Sequence, residues 1–399
     1  MNNLVIVLEN FEYGGVSTHI EILLNNKNFF KKKIKIYTNQ DNRALKKLKN
    51  KIKNPNVTFV KFKNFNCLFF KNKILKFFYH ILRPFFFLIS IIYFYQILKK
   101  FKNTILLANC GGYGNFRSEM AAIIAFFFLG NKCIYLLIHH AFTKPKLWNF
   151  LLQLINLIIY KAVKKIIFVS KATELNISHN IFFFKNKEKM EIIYNGIKKL
   201  KIKKKIIPIF NYNKKYIKIG VLSRIEPVKG HAQIINAIDL LTDDLKKKIK
   251  VFFIGSGNSH YIYSLKKMVN TKNLSEIFIF TGYLDLDSEQ IIKNLNLVLS
   301  VNQEFEGFGY SHVEAASLGV PTFVTNVGAA SEIFGKNSLN LIRPNDTNAL
   351  KLKLEEFINN KTEFSKNANA IKSIINSKFN DDLMVKKFNN ILFKNEKFN

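Results

Sequence analysis

The chain has 399 residues, 48% of them hydrophobic and 14% aromatic, more than one compact core usually fills, so two packed globular domains are expected. It carries 62 Lys and Arg against 27 Asp and Glu, a formal net charge of +35, yet only five of the basic residues are Arg (Arg43, Arg83, Arg117, Arg224 and Arg343). That disfavours a specific nucleic-acid reader, which would use the planar guanidinium, whereas attraction to an anionic membrane surface needs only basic residues near it.

The first apolar run, LVIVL at 4–8, reads as a strand buried on both faces of a parallel sheet. Glu9 and turn residues follow it directly, so no secretory signal is expected. Gly14-Gly15 and a helix over 17–25 come next, then strands at 33–38, 57–62, 104–109, 133–140 and 165–170, with helices near 118–129 and 146–163. The alternation predicts one doubly wound domain over 1–198. Within it, 66–102 is basic and aromatic, and 85–98 is its most apolar run, bounded by Arg83-Pro84 and Lys99-Lys100. Crossing a bilayer takes roughly 20 residues, so this run is short for a span; a buried helix and an interfacial membrane contact are the main readings, with insertion the lesser one. Cys67, Cys110 and Cys133 have no metal-ligand spacing and fit reduced thiols of a cytoplasmic protein.

Residues 199–214, basic and containing Pro208, read as a linker. The pattern then restarts, with strands at 217–223, 250–257, 277–283, 297–301 and 321–326 and helices near 230–242, 259–270 and 287–294, predicting a second doubly wound domain over 215–379. A last helical pattern within 380–399 has no strand after it and can pack on the cleft side or on the N-terminal domain. The fold class is α/β, two Rossmann-like domains facing a central cleft, where open sheets of this kind bind ligands at their strand ends.

The segment EGFGYSHVEAASLGVP, 306–321, carries two carboxylates around glycines that lead into a helix over 311–318. A phosphate over Phe308, Gly309, Tyr310 and Ser311 could be held by that helix N-terminus, with Glu306 and Glu314 reaching different hydroxyls of one ligand. Ser311-x-x-Glu314 is equally a capping box, in which Glu314 only closes its own helix. In GVLSRIEPVKG, 220–230, Arg224 and Lys229 stand at a strand end and suit a diphosphate. Asp285-Leu286-Asp287 could hold a metal, but it precedes a helix that Asp287 would cap.

Together, the Arg224-x4-Lys229-Gly230 loop, the turn at Gly255 and Gly257, FTGY at 280–283 and the Glu306-x7-Glu314 segment resemble the C-terminal domain of the GT4 family of retaining glycosyltransferases (glycosyl transferases group 1), which have the GT-B fold. Gly14-Gly15-Val16-Ser17-Thr18-His19 is similar to that family's first glycine loop, and FVSKA at 168–172 and YNGI at 194–197 to later landmarks. The resemblance implies transfer of a hexose or N-acetylhexosamine from a nucleotide sugar, UDP- or GDP-linked, with retained configuration and no metal or other cofactor. It implies that Arg224 and Lys229 neutralise the diphosphate, that Glu314 takes the ribose, that Glu306 holds the sugar, that backbone around Phe308, Gly309 and Tyr310 binds phosphate, and that Gly15 approaches the donor. His139 or His140 would stand near the reacting centre, the choice being open. Asn109-Cys110-Gly111-Gly112 departs from the family, which often has a histidine there. The expected setting is a lipid-linked or glycan acceptor at the cytoplasmic, inner face of a membrane, with no specific nucleic acid as partner. A soluble sucrose- or glucan-synthase-like enzyme and a non-catalytic basic scaffold are the alternatives.

Overall fold

The computed structural model describes residues 3–65, 73–101, 103–145, 147–184, 187–198, 206–213 and 215–394. Contacts divide the chain into an N-terminal unit, Met1–Gly196 with Asp381–Asn399, and a C-terminal unit, Ile197–Asn380.

The N-terminal unit contains β1 (Leu4–Leu8), β2 (Ile34–Asn39), β3 (Val57–Phe62), β4 (Ile105–Cys110), β5 (Tyr113–Gly114), β6 (Ile134–Ile138), β7 (Phe142–Thr143), β8 (Lys165–Phe168) and β9 (Met190–Ile192). Seven of them form a parallel sheet in the order β3-β2-β1-β4-β6-β8-β9, and β5 pairs with β7. Every residue of β1, β4 and β6 is buried, which is why these strands are apolar runs rather than alternating ones, broken only by Asn109 in β4. The C-terminal unit contains β10 (Ile217–Leu222), β11 (Ile249–Ile254), β12 (Phe278–Gly282), β13 (Leu297–Ser300), β14 (Thr322–Thr325) and β15 (Leu341–Ile342), all parallel in the order β12-β11-β10-β13-β14-β15. In each sheet the order reverses beside the first strand, between β1 and β4 and between β10 and β13, and such points are where open α/β sheets receive ligands.

The structure departs from the expectations in two places. The apolar helix is not 85–98 but Lys73–Leu98, and it runs through Pro84. Proline removes an N–H and leaves the carbonyl four residues earlier without its helical partner; that carbonyl, His80 O, accepts the indole N–H of Trp148 at 3.3 Å. Residues 66–72 and 102 of the predicted 66–102 segment, with Cys67, lie outside the described residues.

The predicted linker 199–214 is corrected over 206–213; its remaining residues lie outside the described ones. Pro208–Phe210 is a 3-10 turn of the C-terminal unit, and buried Phe210 meets Phe252 edge-on at 4.9 Å.

The tail helix is Asp381–Asn389, continued by a π-helical turn Asn390–Lys394, and it belongs to the N-terminal unit. Its apolar face buries Met384, Val385, Phe388 and Leu392, with Phe388 edge-on to His19 at 5.3 Å and the Gly196 N–H donating to the Met384 sulfur. The short edge strands β9 and β15 had no expectation behind them, since two or three residues carry no readable period.

Because Phe388 is fully buried, Phe388→Ala is expected to cost about 3–5 kcal/mol. Denaturant titration should show the loss in the N-terminal unit's transition, with the C-terminal unit's transition unmoved.

Candidate functional site

In the C-terminal unit the loops that leave β10 and β13 emerge side by side, because those strands are neighbours. The first loop ends in the 3-10 turn Pro227–Lys229 and at Gly230, whose φ of +71° is the left-handed region. A Cβ on Gly230 would lie 2.0 Å from Val301 O, so only glycine lets the two loops close. The Gln303 N–H then donates to Val228 O at 2.8 Å. This closure brings Lys229 Nζ to 2.7 Å from Glu306 Oε2, and the Asn302 amide donates to the same oxygen at 3.0 Å. Glu306 is pinned from behind: the Ala329 N–H donates to its carbonyl at 3.0 Å, and a Cβ on Gly328 would lie 1.9 Å from that carbonyl oxygen. Neither Asn302 nor Gly328 was singled out from sequence.

The second predicted cation is placed differently. Arg224 is about half exposed and pairs with Glu226 at 2.6 Å, so the structure sets each cation against its own carboxylate. The turn after β11 packs on this loop, since Cβ atoms on Gly255 and Gly257 would lie 2.0 and 2.1 Å from Ser223 O and Ile225 O.

The motif helix is Tyr310–Ser317, and its N-cap is Gly309 at φ +79°, with no side-chain cap bond. Ser311 is therefore the second helical residue, which corrects the capping-box reading of Ser311 and Glu314. Glu314 sits half-buried one turn into the helix. Phe308 and Tyr310 turn their rings inward, 5.3 Å apart, with Phe308 also on Phe379 at 5.7 Å, so their side chains serve the core. An uncapped helix start presents N–H groups and the positive end of the dipole.

His312, which sequence reasoning passed over, lies beneath this turn. It is 3% exposed, its Nδ1 stands 3.0 Å from Ser300 Oγ, and its Nε2 has no partner among the described residues. A Cβ on Gly309 would lie 1.8 Å from His312 Cε1. Burial pushes the His312 pKa down to about 4, against an opposing pull from Glu306, so the ring is neutral. The one sequence cue was its place three residues after Gly309. His231, the first residue of the helix His231–Asp239 that follows Gly230, is also buried, 4.8 Å edge-on from Phe253, and is pushed by burial to about 4.

In the N-terminal unit the corresponding edge holds Gly15, His139 and His140. Gly15 is the exposed first residue of the helix Gly15–Asn25, with Gly14 as N-cap. The loop after β1 is braced by buried carboxylates: Glu119 accepts the Glu9 N–H at 2.8 Å, Glu9 accepts the Ser118 N–H at 3.1 Å, and Arg117 pairs with Glu119 at 3.2 Å. Burial raises Glu119 to about 7, with Arg117 opposing the rise.

His139 is buried and His140 exposed, so His139 is the one that faces inward. Its Nε2 is 2.7 Å from Asn109 Oδ1, and its ring meets His19 edge-on at 4.8 Å. Thus Asn109 holds His139. His19 Nδ1 is in turn 2.9 Å from Asn195 Oδ1 of the YNGI run. Burial lowers His139 well below the ordinary range and His19 to about 4.

Asp287 occupies the N-cap of Ser288–Ile292 but forms no side-chain cap bond, and Asp285 accepts the Tyr283 hydroxyl at 3.5 Å. Among the described residues, no group of three or more His, Cys, Asp or Glu is placed to hold a metal ion.

Residues 202–375 match the family model described as Glycosyl transferases group 1. The chain is 28% identical over 183 residues to the O-antigen biosynthesis glycosyltransferase WclY of Escherichia coli, a match covering 44% of this chain and 47% of that one. It therefore spans about half the length of that relative. It is 29% identical over 259 residues to the uncharacterized glycosyltransferase MJ1069 of Methanocaldococcus jannaschii, covering 62% of this chain and 63% of the relative. Its fold matches that of Anabaena Alr3699/HepE, solved in complex with UDP and glucose, with a TM-score of 0.74, 17% identity and coverage of 99% and 100%. The architecture is GT-B, two Rossmann-like units.

Two outcomes follow from the buried imidazoles. Gly309→Ala should destabilise by more than the roughly 1–2 kcal/mol of left-handed strain, because His312 must move; in the double variant with His312→Ala that excess should vanish, seen as a non-additive double-mutant cycle in denaturant. His19, His231 and His312 stay neutral when folded and take up protons on unfolding below pH 6.5, so acid favours the unfolded chain. Stability should fall as pH drops from 6.5 to 4, by up to about 3 kcal/mol per histidine, and His312→Asn should flatten that slope in thermal melts.

Proposed function

We propose that this chain is a group 1 glycosyltransferase that moves a hexose or N-acetylhexosamine from a UDP- or GDP-linked donor to a lipid-linked or cell-surface glycan, with retained configuration and no metal. The observation that carries the reading is the Lys229–Glu306 pair, with Asn302 on the same carboxylate oxygen, at the sheet's switch point beside an uncapped helix. It lies inside the segment that matches the family model. The HepE complex supports a UDP-linked donor, and the name of the WclY relative supports a glycan acceptor.

In this mechanism the helix start at Gly309 and Tyr310 receives the diphosphate, with Lys229 and Arg224 as countercharge. Lys229 pairs with Glu306, and in this reading the cation stands where the sugar-holding carboxylate meets the diphosphate. Glu314 takes the ribose hydroxyls. As the bond from the anomeric carbon to the phosphate oxygen breaks, Lys229 and the helix end stabilise the negative charge that collects on the diphosphate. The acceptor hydroxyl attacks from the same face and gives its proton to the departing phosphate oxygen.

A double displacement would need a carboxylate nucleophile. In the N-terminal unit Glu9 and Glu119 are already engaged by Arg117 and backbone N–H groups. His139, uncharged and held by Asn109, orients the acceptor side by accepting or donating one hydrogen bond. The enzyme works at the cytoplasmic, inner face of a membrane, where its positive charge favours anionic lipid.

The test is release of UDP or GDP from a panel of nucleotide sugars with a lipid-linked acceptor. Glu306→Ala and Lys229→Ala should lower turnover about 10²–10³-fold, and Arg224→Ala less, because its side chain is half exposed and already paired. EDTA should leave the rate unchanged. No turnover with any donor, or a rate abolished by EDTA and restored by manganese, would overturn the respective part of the reading.

A further inference from the structure

We infer that two neighbouring helices of the N-terminal unit form a single docking surface for an anionic lipid bilayer, lying in its interface rather than crossing it. The reading concerns where the proposed reaction takes place.

The helix Lys73–Leu98 exposes Ile74, Phe78, Ile81, Phe85, Leu88, Ile92 and Tyr95. Their spacing alternates between four and three residues, which keeps them on one face of a helix. The stripe is about 32 Å long at 1.5 Å per residue. Tyr79, Phe87, Ser90, Phe94 and Leu98 of the same helix are buried, and they fall on the opposite face. Phe87 and Phe94 lock that face into the core against Phe116 and Phe62, at ring separations of 5.5 and 5.2 Å.

The window Phe77–Leu98 is long and apolar enough to span a membrane by composition. Crossing would strip Phe87 and Phe94 from their partners and lose that packing. With one face fixed to the domain and the other apolar and solvent-facing, the helix can only lie flat.

The second helix, Asn149–Ala162, repeats the arrangement at shorter range. Phe150, Leu154 and Ile158 are exposed at four-residue spacing, while Leu152, Ile155 and Ile159 are buried. Both helices pack on the helix Ser118–Phe128. They are joined by Trp148, itself exposed, in a left-handed conformation at φ +67° and bonded to His80 O. The bond ties the second apolar helix to the first through an amphipathic indole, the side chain suited to a lipid–water boundary.

Charge decides the occupant. A second copy would also bring a net +35, and two such chains repel. Exposed Lys99 and Lys100 follow the long stripe, and exposed Lys144 precedes Leu147 and Trp148, so cations border the apolar face where acidic headgroups would lie.

Trp148 is the chain's only tryptophan, so its emission reports directly on this surface. Vesicles of phosphatidylcholine containing phosphatidylglycerol should shift that emission to the blue and sediment the full-length protein, and pure phosphatidylcholine should do so at least tenfold less. Phe85→Glu with Leu88→Glu, and separately Phe150→Glu, should each weaken partitioning at least tenfold at an unchanged melting temperature, since the replaced side chains are exposed. Unmoved emission, equal binding by the variants, equal binding to both vesicles, or a lipid-free dimer that the variants dissociate would each overturn the inference. The readout is lipid binding without donor, so its failure leaves the sugar-transfer reading standing, and loss of transfer leaves this surface standing.

Discussion

The C-terminal unit depends on one topological constraint: β10 lies between β11 and β13, so the chain must leave neighbouring strands toward opposite sides and return. Such a switch point is where open α/β sheets receive ligands. Everything in the proposed donor site hangs from those exits. Gly230 lets the β10 loop touch Val301, Gly328 lets the β14 loop touch Glu306, and the two approaches together set Lys229 against Glu306. A side chain at either glycine would meet backbone, which cannot move aside as a flexible side chain can. The ion pair is thus a consequence of loop packing at the switch point, and in its half-buried setting the attraction is screened less than at the surface while both charges lose some hydration.

Buried neutral histidines recur at both sheet edges. His312 fills the space under Gly309, His231 packs on Phe253, and His19 and His139 meet edge-on while each leans on an asparagine. Burial removes water from each ring faster than any nearby charge restores the protonated form, so all four are uncharged. In a chain of +35 this keeps the loops around them free of further positive charge. Beside a site proposed for a diphosphate, it leaves recognition of the anion to Lys229, Arg224 and backbone.

The N-terminal unit resolves a different conflict, between a strongly basic composition and a helix with almost no charge on its outer face. Pro84 would ordinarily weaken such a helix; the indole of Trp148 repairs the broken bond and at the same time ties in the second apolar helix. The tail helix closes the unit from the other end of the chain, through Phe388 on His19 and Met384 on Gly196.

Much of this was legible in the order of residues. Unbroken runs such as LVIVL announced parallel strands, the restart near residue 217 announced a second unit, and Arg224, Lys229, Glu306 and Glu314 were conspicuous for their spacing. Those features are local: a strand's burial on two faces and a glycine's place before a helix are written in neighbouring residues. Tertiary structure alone decided the rest. It paired Lys229 with Glu306 and Arg224 with Glu226, turned His139 inward and His140 outward, made Gly309 and not Ser311 the cap, placed His312 beneath it, and gave the tail to the N-terminal unit. Each of those outcomes depends on which distant backbone comes within about 3 Å, and that distance is set by strand order and loop closure, which no local pattern encodes.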